Sequence, residues 1–224
     1  MKKIAIGLSI TLNFIILSIV IWVWSGSALN LLVSFFSQPK HERWVSQFEV
    51  IGVQPGDIVF LGDSITEGGS WDELFPQSKV RNRGIGGDVT TGVLARLNQI
   101  TDGQPAQIFL MIGTNDVFGG VSNAEIKDNI NRIIETVHIA SPQTDIFVQS
   151  ILPRDKRYRD SIELLNSSLE TAISGKATWV NLYPLFLDEA GTSIDNLLSN
   201  DELHLLGQGY LVWRDAIAHL VNSR

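Results

Sequence analysis

The sequence predicts an α/β fold in which a mainly parallel sheet of five strands lies between two layers of helices. Short apolar runs rich in Ile, Val and Phe recur between residues 57 and 182 with little polar alternation, as in strands that are buried on both faces. Segments with apolar residues at helical spacing separate these runs. Because strands and helices alternate at this spacing, we expect right-handed βαβ units and a three-layer α/β/α domain.

A hydrophobic helix is predicted to precede this domain. Lys2 and Lys3 come before residues 4–24, a stretch without a charged side chain. At about 1.5 Å per residue this stretch is long enough to cross the ~30 Å hydrocarbon layer of a bilayer. We therefore expect residues 1–28 to form an uncleaved membrane anchor, with the rest of the chain exported to the periplasm or the cell exterior. A signal peptide cleaved after residues 25–28, which would release a secreted protein, is the alternative.

Residues 29–55 are predicted to connect this segment to the α/β domain, which is expected to span residues 56–224. The connector has an apolar stretch at 29–36, a polar stretch at 38–43 and a Gln-Pro-Gly turn signal at 54–56.

The elements of the α/β domain follow in order. The predicted strands are 57–61, 80–82, 107–112, 145–151 and 178–182, of which 80–82 has the weakest pattern. Helical stripes lie between them and at the end of the chain: Val93, Leu94, Leu97 and Ile100; Ile126, Ile130, Ile133, Ile134 and Val137; Ile162, Leu165, Leu169 and Ile173; and residues 210–221. Ser122 and Glu125 form a capping box that opens the second of these helices.

Residues with catalytic chemistry follow several of the predicted strands. Ser64 comes after the first strand, Gly87 after the second and Asn115 after the third, while Asp201 and His204 lie between the fifth strand and the last helix. Ligands of parallel α/β sheets bind beyond the carboxyl ends of the strands. We therefore expect these five residues to meet at one edge of the sheet.

Together these residue types are suited to acyl transfer. Ser64 is a nucleophile, His204 a base that accepts its proton, and Asp201 a carboxylate that orients the imidazole. The backbone N–H groups of Ser64 and Gly87 and the side-chain amide of Asn115 are donors for an oxyanion hole. Taken singly, each motif also has an ordinary reading as a turn, a helix cap or a solvated loop pair.

Composition excludes several other kinds of site. The chain has no cysteine, which rules out disulfides, thiolate clusters and a cysteine nucleophile. Its formal net charge of −7 argues against nucleic acid as the main partner. No histidine spacing typical of a metal site is present, and no metal or organic cofactor is expected. The glycines at 84 and 86 do not complete a dinucleotide fingerprint, because Val89 occupies the third glycine position.

In this order and combination the motifs resemble those of the SGNH or GDSL hydrolases, a flavodoxin-like esterase superfamily. The stretches Asn-Arg-Gly-Ile-Gly-Gly-Asp at 82–88 and Gly-Thr-Asn-Asp at 113–116 are most similar to the branch that contains platelet-activating-factor acetylhydrolase catalytic subunits and bacterial carbohydrate acetylesterases. The resemblance covers roughly residues 57–222. It implies a serine esterase that works through an acyl-enzyme without a cofactor. Its site residues would be Ser64, Asp201 and His204, with Ser64, Gly87 and Asn115 as the oxyanion hole.

The substrate is expected to be a small ester. The loops between the predicted elements are short and no lid insertion is visible, which favours a small acyl group, acetyl above all, on a sugar or lipid-like alcohol. Two alternatives are a lysophospholipase or thioesterase acting on longer acyl chains, and a non-catalytic binding protein on the same fold. Trp71, Phe118 and residues 185–187 are expected either to line the site or to belong to the core.

Overall fold

The structure, a computed structural model, describes residues 27–221, with side chains from residue 38 onward. The chain divides into two compact units, with the boundary between Arg43 and Trp44. Helix α1 (Ser27–Ile51) occupies most of the predicted connector. The segment 4–24, predicted as a membrane anchor, lies outside the described residues. Within residues 27–221, no helix combines the length and the apolar character needed to cross a membrane.

The second unit contains a five-stranded parallel sheet. Its strands are β1 (Ile58–Gly62), β2 (Val80–Gly84), β3 (Gln107–Met111), β4 (Asp145–Gln149) and β5 (Thr178–Val180). They are ordered β2-β1-β3-β4-β5, and every neighbouring pair is parallel. This is the flavodoxin-like order, in which the crevice where the chain reverses direction lies between β1 and β3. The predicted sheet is confirmed.

β3 ends one residue earlier than predicted, and β4 and β5 each end two residues earlier, the latter two because side chains bind the backbone groups that follow them. The side chain of Asn166 both donates to and accepts from the backbone of Ile151, with both bonds at 2.9 Å, so β4 ends at Gln149. The hydroxyl of Ser150 accepts the N–H groups of Leu182 and Tyr183 at 2.9 and 2.8 Å, and β5 ends at Val180.

Helices cover both faces of the sheet. After α1 they are α2 (Ser64–Glu67), α3 (Trp71–Leu74), α4 (Thr90–Ala95), α5 (Asn98–Thr101), α6 (Thr114–Phe118), α7 (Asn123–Ala140), α8 (Arg159–Ala172) and α9 (Gly207–Ile217). The stripe predicted at 93–100 is divided between α4 and α5. The cap predicted for α7 is present, because the Ser122 hydroxyl accepts the Glu125 N–H at 3.2 Å.

Successive strand residues point alternately into two separate hydrophobic cores, one on each face of the sheet. Val59 and Leu61 point into the core that is covered by α4, α5, α7 and α8. Phe60 points to the opposite face, where it stacks in register with Phe109 (centroids 5.1 Å apart), and Phe109 stacks with Phe147 (4.6 Å). Trp71 of α3 lies on this ladder at 4.0 Å from Phe60. The sheet is therefore fixed from both sides, and its carboxyl edge is rigidly placed.

Candidate active site

The turn after β1 presents Ser64 at the carboxyl edge of the sheet. Asp63 caps α2, and its side chain accepts the Ile65 N–H at 3.0 Å. Ser64 is therefore the first residue of this short helix. Gly62, the last residue of β1, has no room for a side chain, since a Cβ would lie 2.3 Å from the Met111 carbonyl oxygen.

Ser64, His204 and Asp201 form a continuous hydrogen-bonded chain. The Ser64 Oγ lies 3.0 Å from the His204 Nε2, and the His204 Nδ1 lies 2.6 Å from the Asp201 Oδ2. Ser64 and His204 are separated by 140 positions in the sequence, so the fold itself brings them together. With the serine oxygen on Nε2 and the carboxylate on Nδ1, a neutral imidazole can accept the serine proton.

Backbone N–H groups of the loop that carries Asp201 and His204 hold the Asp201 carboxylate in place. The Asp201 Oδ1 accepts the N–H groups of His204 at 2.7 Å and Leu203 at 3.1 Å. Partial burial works against ionisation, but the hydrogen bonds from His204 outweigh it and hold the pKa of Asp201 below its usual value. Glu202, which lies between Asp201 and Leu203, has a φ of 60°, the left-handed conformation that lets the loop turn back on itself. Asp201 is therefore kept ionised.

Gly87, in the loop after β2, and Asn115, at the start of α6, lie next to each other at the same edge. The Asn115 amide donates to the Asp88 carbonyl at 2.9 Å, directly beside Gly87. The second hydrogen of that amide remains for another acceptor. Gly87 is exposed and has a φ of 80°. The loop is tied to α2 by the Gly86 N–H, which donates to the Glu67 side chain at 2.6 Å. All five predicted site residues thus lie in segments that follow the strands and are joined by hydrogen bonds.

Asn82 connects these loops, and the sequence analysis did not identify it as a site residue. Its amide nitrogen donates to the carbonyls of Thr66, Glu67 and Gly69 at 3.0–3.1 Å, and its amide oxygen accepts the Gly84 N–H at 2.9 Å. One side chain on β2 therefore holds the end of α2, the helix that begins at Ser64. The signal available in the sequence was an asparagine within the predicted strand 80–82.

A buried ion pair supports the loop that contains Gly87. Arg96 and Asp88 are paired at 2.8 Å, and both side chains are almost completely buried. The Arg96 guanidinium also donates to the carbonyls of Gly62 and Arg83 at 3.2 and 3.0 Å. The pair thus joins the ends of β1 and β2 to the loop that contains Gly87.

Asp116, next to Asn115, is anchored in a similar way. Its carboxylate accepts the Thr90 hydroxyl at 2.6 Å and the Thr90 N–H at 3.0 Å. These bonds fix the turn from β3 into α6, on which Asn115 lies.

Asp63 is a second carboxyl close to the nucleophile, and it is buried. Burial raises its pKa to about 7, and the nearby carboxylates of Asp88 and Asp116 add to this rise. Hydrogen bonding from Ile65 and the proximity of His204 oppose it.

Some of the residues expected either to line the site or to belong to the core are buried, and others are exposed. Trp71 belongs to the core: it is 1% exposed, and its indole N–H donates to the Thr66 carbonyl at 2.8 Å. Phe186 is also fully buried, whereas its neighbour Leu185 is exposed. Phe118 is 63% exposed and lies on α6, the helix that carries Asn115.

Comparison with known proteins supports the architecture. The model of the GDSL-like lipase/acylhydrolase family matches residues 60–212. The platelet-activating factor acetylhydrolase IB subunit alpha2 of Rattus norvegicus is 30% identical over 186 residues, covering 75% of this chain and 79% of the relative. A Streptococcus pneumonia protein solved as a candidate platelet activating factor is 27% identical, with a TM-score of 0.79 over 88% of this chain and 99% of its own.

A more distant structure has the same fold. A catalytic mutant of an acetylxylan esterase from Geobacillus stearothermophilus is 17% identical, with a TM-score of 0.64 over 77% of this chain and 97% of its own.

Proposed function

Because the chain belongs to the GDSL-like lipase/acylhydrolase family and is a carboxylic ester hydrolase, we propose that it cleaves small-acyl esters, acetyl above all, of a sugar or lipid-like alcohol. The observation that carries this proposal is the 3.0 Å separation between the Ser64 Oγ and the His204 Nε2. At that distance the imidazole can accept the serine proton directly.

The proposed reaction proceeds through an acyl-enzyme. His204 accepts the proton as the Ser64 oxygen attacks the ester carbonyl, and then transfers it to the departing alcohol. Asp201 accepts a hydrogen bond from the other ring nitrogen, which fixes the tautomer and stabilises the imidazolium. Water, activated by the same histidine, then attacks the acyl-serine and releases the acid.

The proposed oxyanion hole consists of three donors. They are the backbone N–H groups of Ser64 and Gly87 and the amide hydrogen of Asn115 that Asp88 does not use. Each such donor typically contributes about 3 kcal/mol to transition-state stabilisation, or roughly a hundredfold in rate.

The names of the relatives support a small acyl group. The rat relative is named an acetylhydrolase, and the Geobacillus protein an acetylxylan esterase.

A lysophospholipase or thioesterase would instead act on longer acyl chains. We expect kcat/KM across p-nitrophenyl esters to be highest for acetate and to fall with acyl length. A maximum at eight carbons or more would favour the alternative.

Replacing the nucleophile tests the esterase proposal. Ser64→Ala should lower hydrolysis of p-nitrophenyl acetate to the uncatalysed rate, while circular dichroism and the melting temperature stay close to those of the wild type. Ser167→Ala, an exposed serine on α8, is the matched control and should retain full activity. Substantial hydrolysis by Ser64→Ala would overturn the proposal.

We also propose that residues 4–24 anchor the protein in a membrane with the hydrolase domain exported. Support comes from the length and uncharged character of this stretch and from the preceding Lys2 and Lys3. The intact mass of protein extracted from membranes should include residues 1–28. A mature protein that starts after residue 28 and is found in the medium or periplasm would show signal-peptide cleavage instead.

A further inference from the structure

Arg154 is held beside the proposed oxyanion hole. It follows β4, so it lies at the same carboxyl edge of the sheet as Ser64 and Asn115. Its Nη1 donates to the backbone oxygen and to the hydroxyl of Thr114, each at 3.2 Å. Thr114 directly precedes Asn115, so the guanidinium is fixed one residue away from a proposed oxyanion donor.

Aromatic rings line the guanidinium. Its central carbon lies 4.5 Å from the centre of the Tyr158 ring and 5.5 Å from that of Phe118. Such contacts attract a cation and limit its movement. The exposed face of Phe118 beside a fixed positive charge creates an amphipathic surface at the rim of the site.

No carboxylate among residues 27–221 forms a direct ion pair with Arg154. None of the ion pairs in that part of the chain includes it, and its Nε is buried without a hydrogen-bond partner. Asp155 pairs with Arg157 instead, and Asp63 is buried against Ile65. Partial burial lowers the pKa of Arg154, and the nearby carboxylates of Asp155 and Asp63, which do not pair with it directly, offset this shift only in part.

A purely structural role does not account for this arrangement. Holding two oxygens of Thr114 requires hydrogen-bond donors but no net charge, and a desolvated charge without a partner costs stability. Arginine is the residue best suited to bind a carboxylate or phosphate in two-pronged geometry. Within the described part of the chain, the Nη2 has no hydrogen-bond partner and is not fully buried, so it is the guanidinium nitrogen left for a ligand.

We propose that Arg154 binds an anionic group, a carboxylate or a phosphate, on the alcohol portion of the ester. This inference rests on the proposed small-acyl esterase function, because an acetyl group is too small to carry the anion itself. The net charge of −7 provides no general attraction for anions. Recognition would therefore depend on local cations, of which Arg154 is the one held against Thr114, and this makes Arg154 a specificity-determining residue.

Three acetyl esters of small three-carbon alcohols test the proposal: glycerol 1-acetate, 1-acetylglycerol 3-phosphate and 3-acetylglyceric acid. They share the acetyl group and differ in whether the alcohol carries no charge, a phosphate or a carboxylate. Acetate release by the wild type should be about ten- to a hundredfold more efficient, in kcat/KM, for at least one of the anionic esters than for the neutral ester. The two anionic substrates show which anion is preferred.

Arg154→Gln should remove this preference. The expected result is a fall of about tenfold or more in the ratio of anionic to neutral kcat/KM, whatever effect the change has on both through Thr114. Arg157→Gln removes a charge from the same loop at a side chain that is 70% exposed and paired with Asp155, and should change the ratio less than about twofold.

Two results would overturn the assignment of Arg154. One is a wild type that hydrolyses the neutral ester at least as well as both anionic esters. The other is an Arg154→Gln variant that slows all three esters in equal proportion, which indicates a structural role alone. Failure of the esterase proposal is distinct, since the wild type would then release acetate from none of the three esters and from no p-nitrophenyl ester.

Discussion

Gly87 has a left-handed backbone conformation, with a φ of 80°, and a Cβ placed there would meet no other atom within 4 Å. The space that a side chain would occupy is therefore open. The requirement for glycine at this residue is a matter of backbone conformation and access, and packing has no part in it.

Gly87→Ala should lower both stability and activity. The left-handed conformation costs about 1–2 kcal/mol for a residue with a Cβ, and the added methyl group would displace a substrate oxygen from the N–H. We expect kcat/KM for p-nitrophenyl acetate to fall at least about tenfold.

Gly175→Ala is the matched control for this substitution. Gly175 has a φ of 76° and equally open space, but it precedes β5 and lies at the opposite, amino edge of the sheet. Its substitution should lower the melting temperature by a similar amount with unchanged kcat/KM. Equal activities for the two variants would contradict the role proposed for Gly87.

Asp63 makes stability depend on pH. Its pKa rises from about 4 in the unfolded chain to about 7 in the folded one because the carboxyl is buried. The folded state thus holds a proton that the unfolded state has lost, and stability falls as pH rises between these values.

Asp63→Asn should remove this contribution, because the amide oxygen can still accept the Ile65 N–H and carries no charge. Relative to the wild type, the free energy of unfolding of the variant in urea should improve by on the order of 2 kcal/mol between pH 5 and pH 7. Comparison with the wild type cancels the similar effect of Asp116, whose pKa burial also raises. A stability difference that is the same at both pH values would show that Asp63 does not titrate in this range.

At the scale of elements, the junction between β2 and α2 depends on a single side chain, that of Asn82. Asn82→Ala would remove this partner from the carbonyls of Glu67 and Gly69 and from the Gly84 N–H, while the Thr66 carbonyl would keep the Trp71 indole N–H. We expect a loss of about 1–3 kcal/mol in unfolding free energy and a fall in kcat, since Ser64 begins that helix.

The control for Asn82 is Asn131→Ala. The Asn131 amide donates to the Lys127 carbonyl of its own helix at 3.1 Å, and its oxygen accepts a long, exposed bond of 3.4 Å from the Lys176 ammonium. Its loss should cost at most about 0.5 kcal/mol without changing kcat. If Asn82→Ala retained full activity and stability, the asparagine would not position the nucleophile.

The ends of elements were predicted less well than their existence. The apolar runs identified all five strands, because strands buried on both faces have few polar residues. β4 and β5 end where Asn166 and Ser150 take over backbone partners, and both contacts join residues far apart in sequence. Local pattern contains no information on such contacts. The split of the 93–100 stripe into α4 and α5 was missed for a similar reason: the stripe itself is continuous in the sequence.

At the scale of the whole molecule, the site could be predicted because the topology is regular. Five parallel strands place every following loop at one edge, so Ser64, Gly87 and Asn115 converge without detailed knowledge of packing. The supporting side chains could not be predicted in this way. Arg96 reaches the carbonyls of Gly62 and Arg83 only in the folded chain, and the unpaired charge of Arg154 is visible only once its neighbours are placed.

The central claim is that Ser64 is a nucleophile activated by His204, and covalent labelling tests it most directly. A fluorophosphonate should modify the intact protein once, and peptide mass mapping should place the adduct on Ser64. Labelling should be absent in Ser64→Ala and slowed at least about a hundredfold in His204→Gln. An adduct on another residue, or equally fast labelling of the His204→Gln variant, would contradict the account.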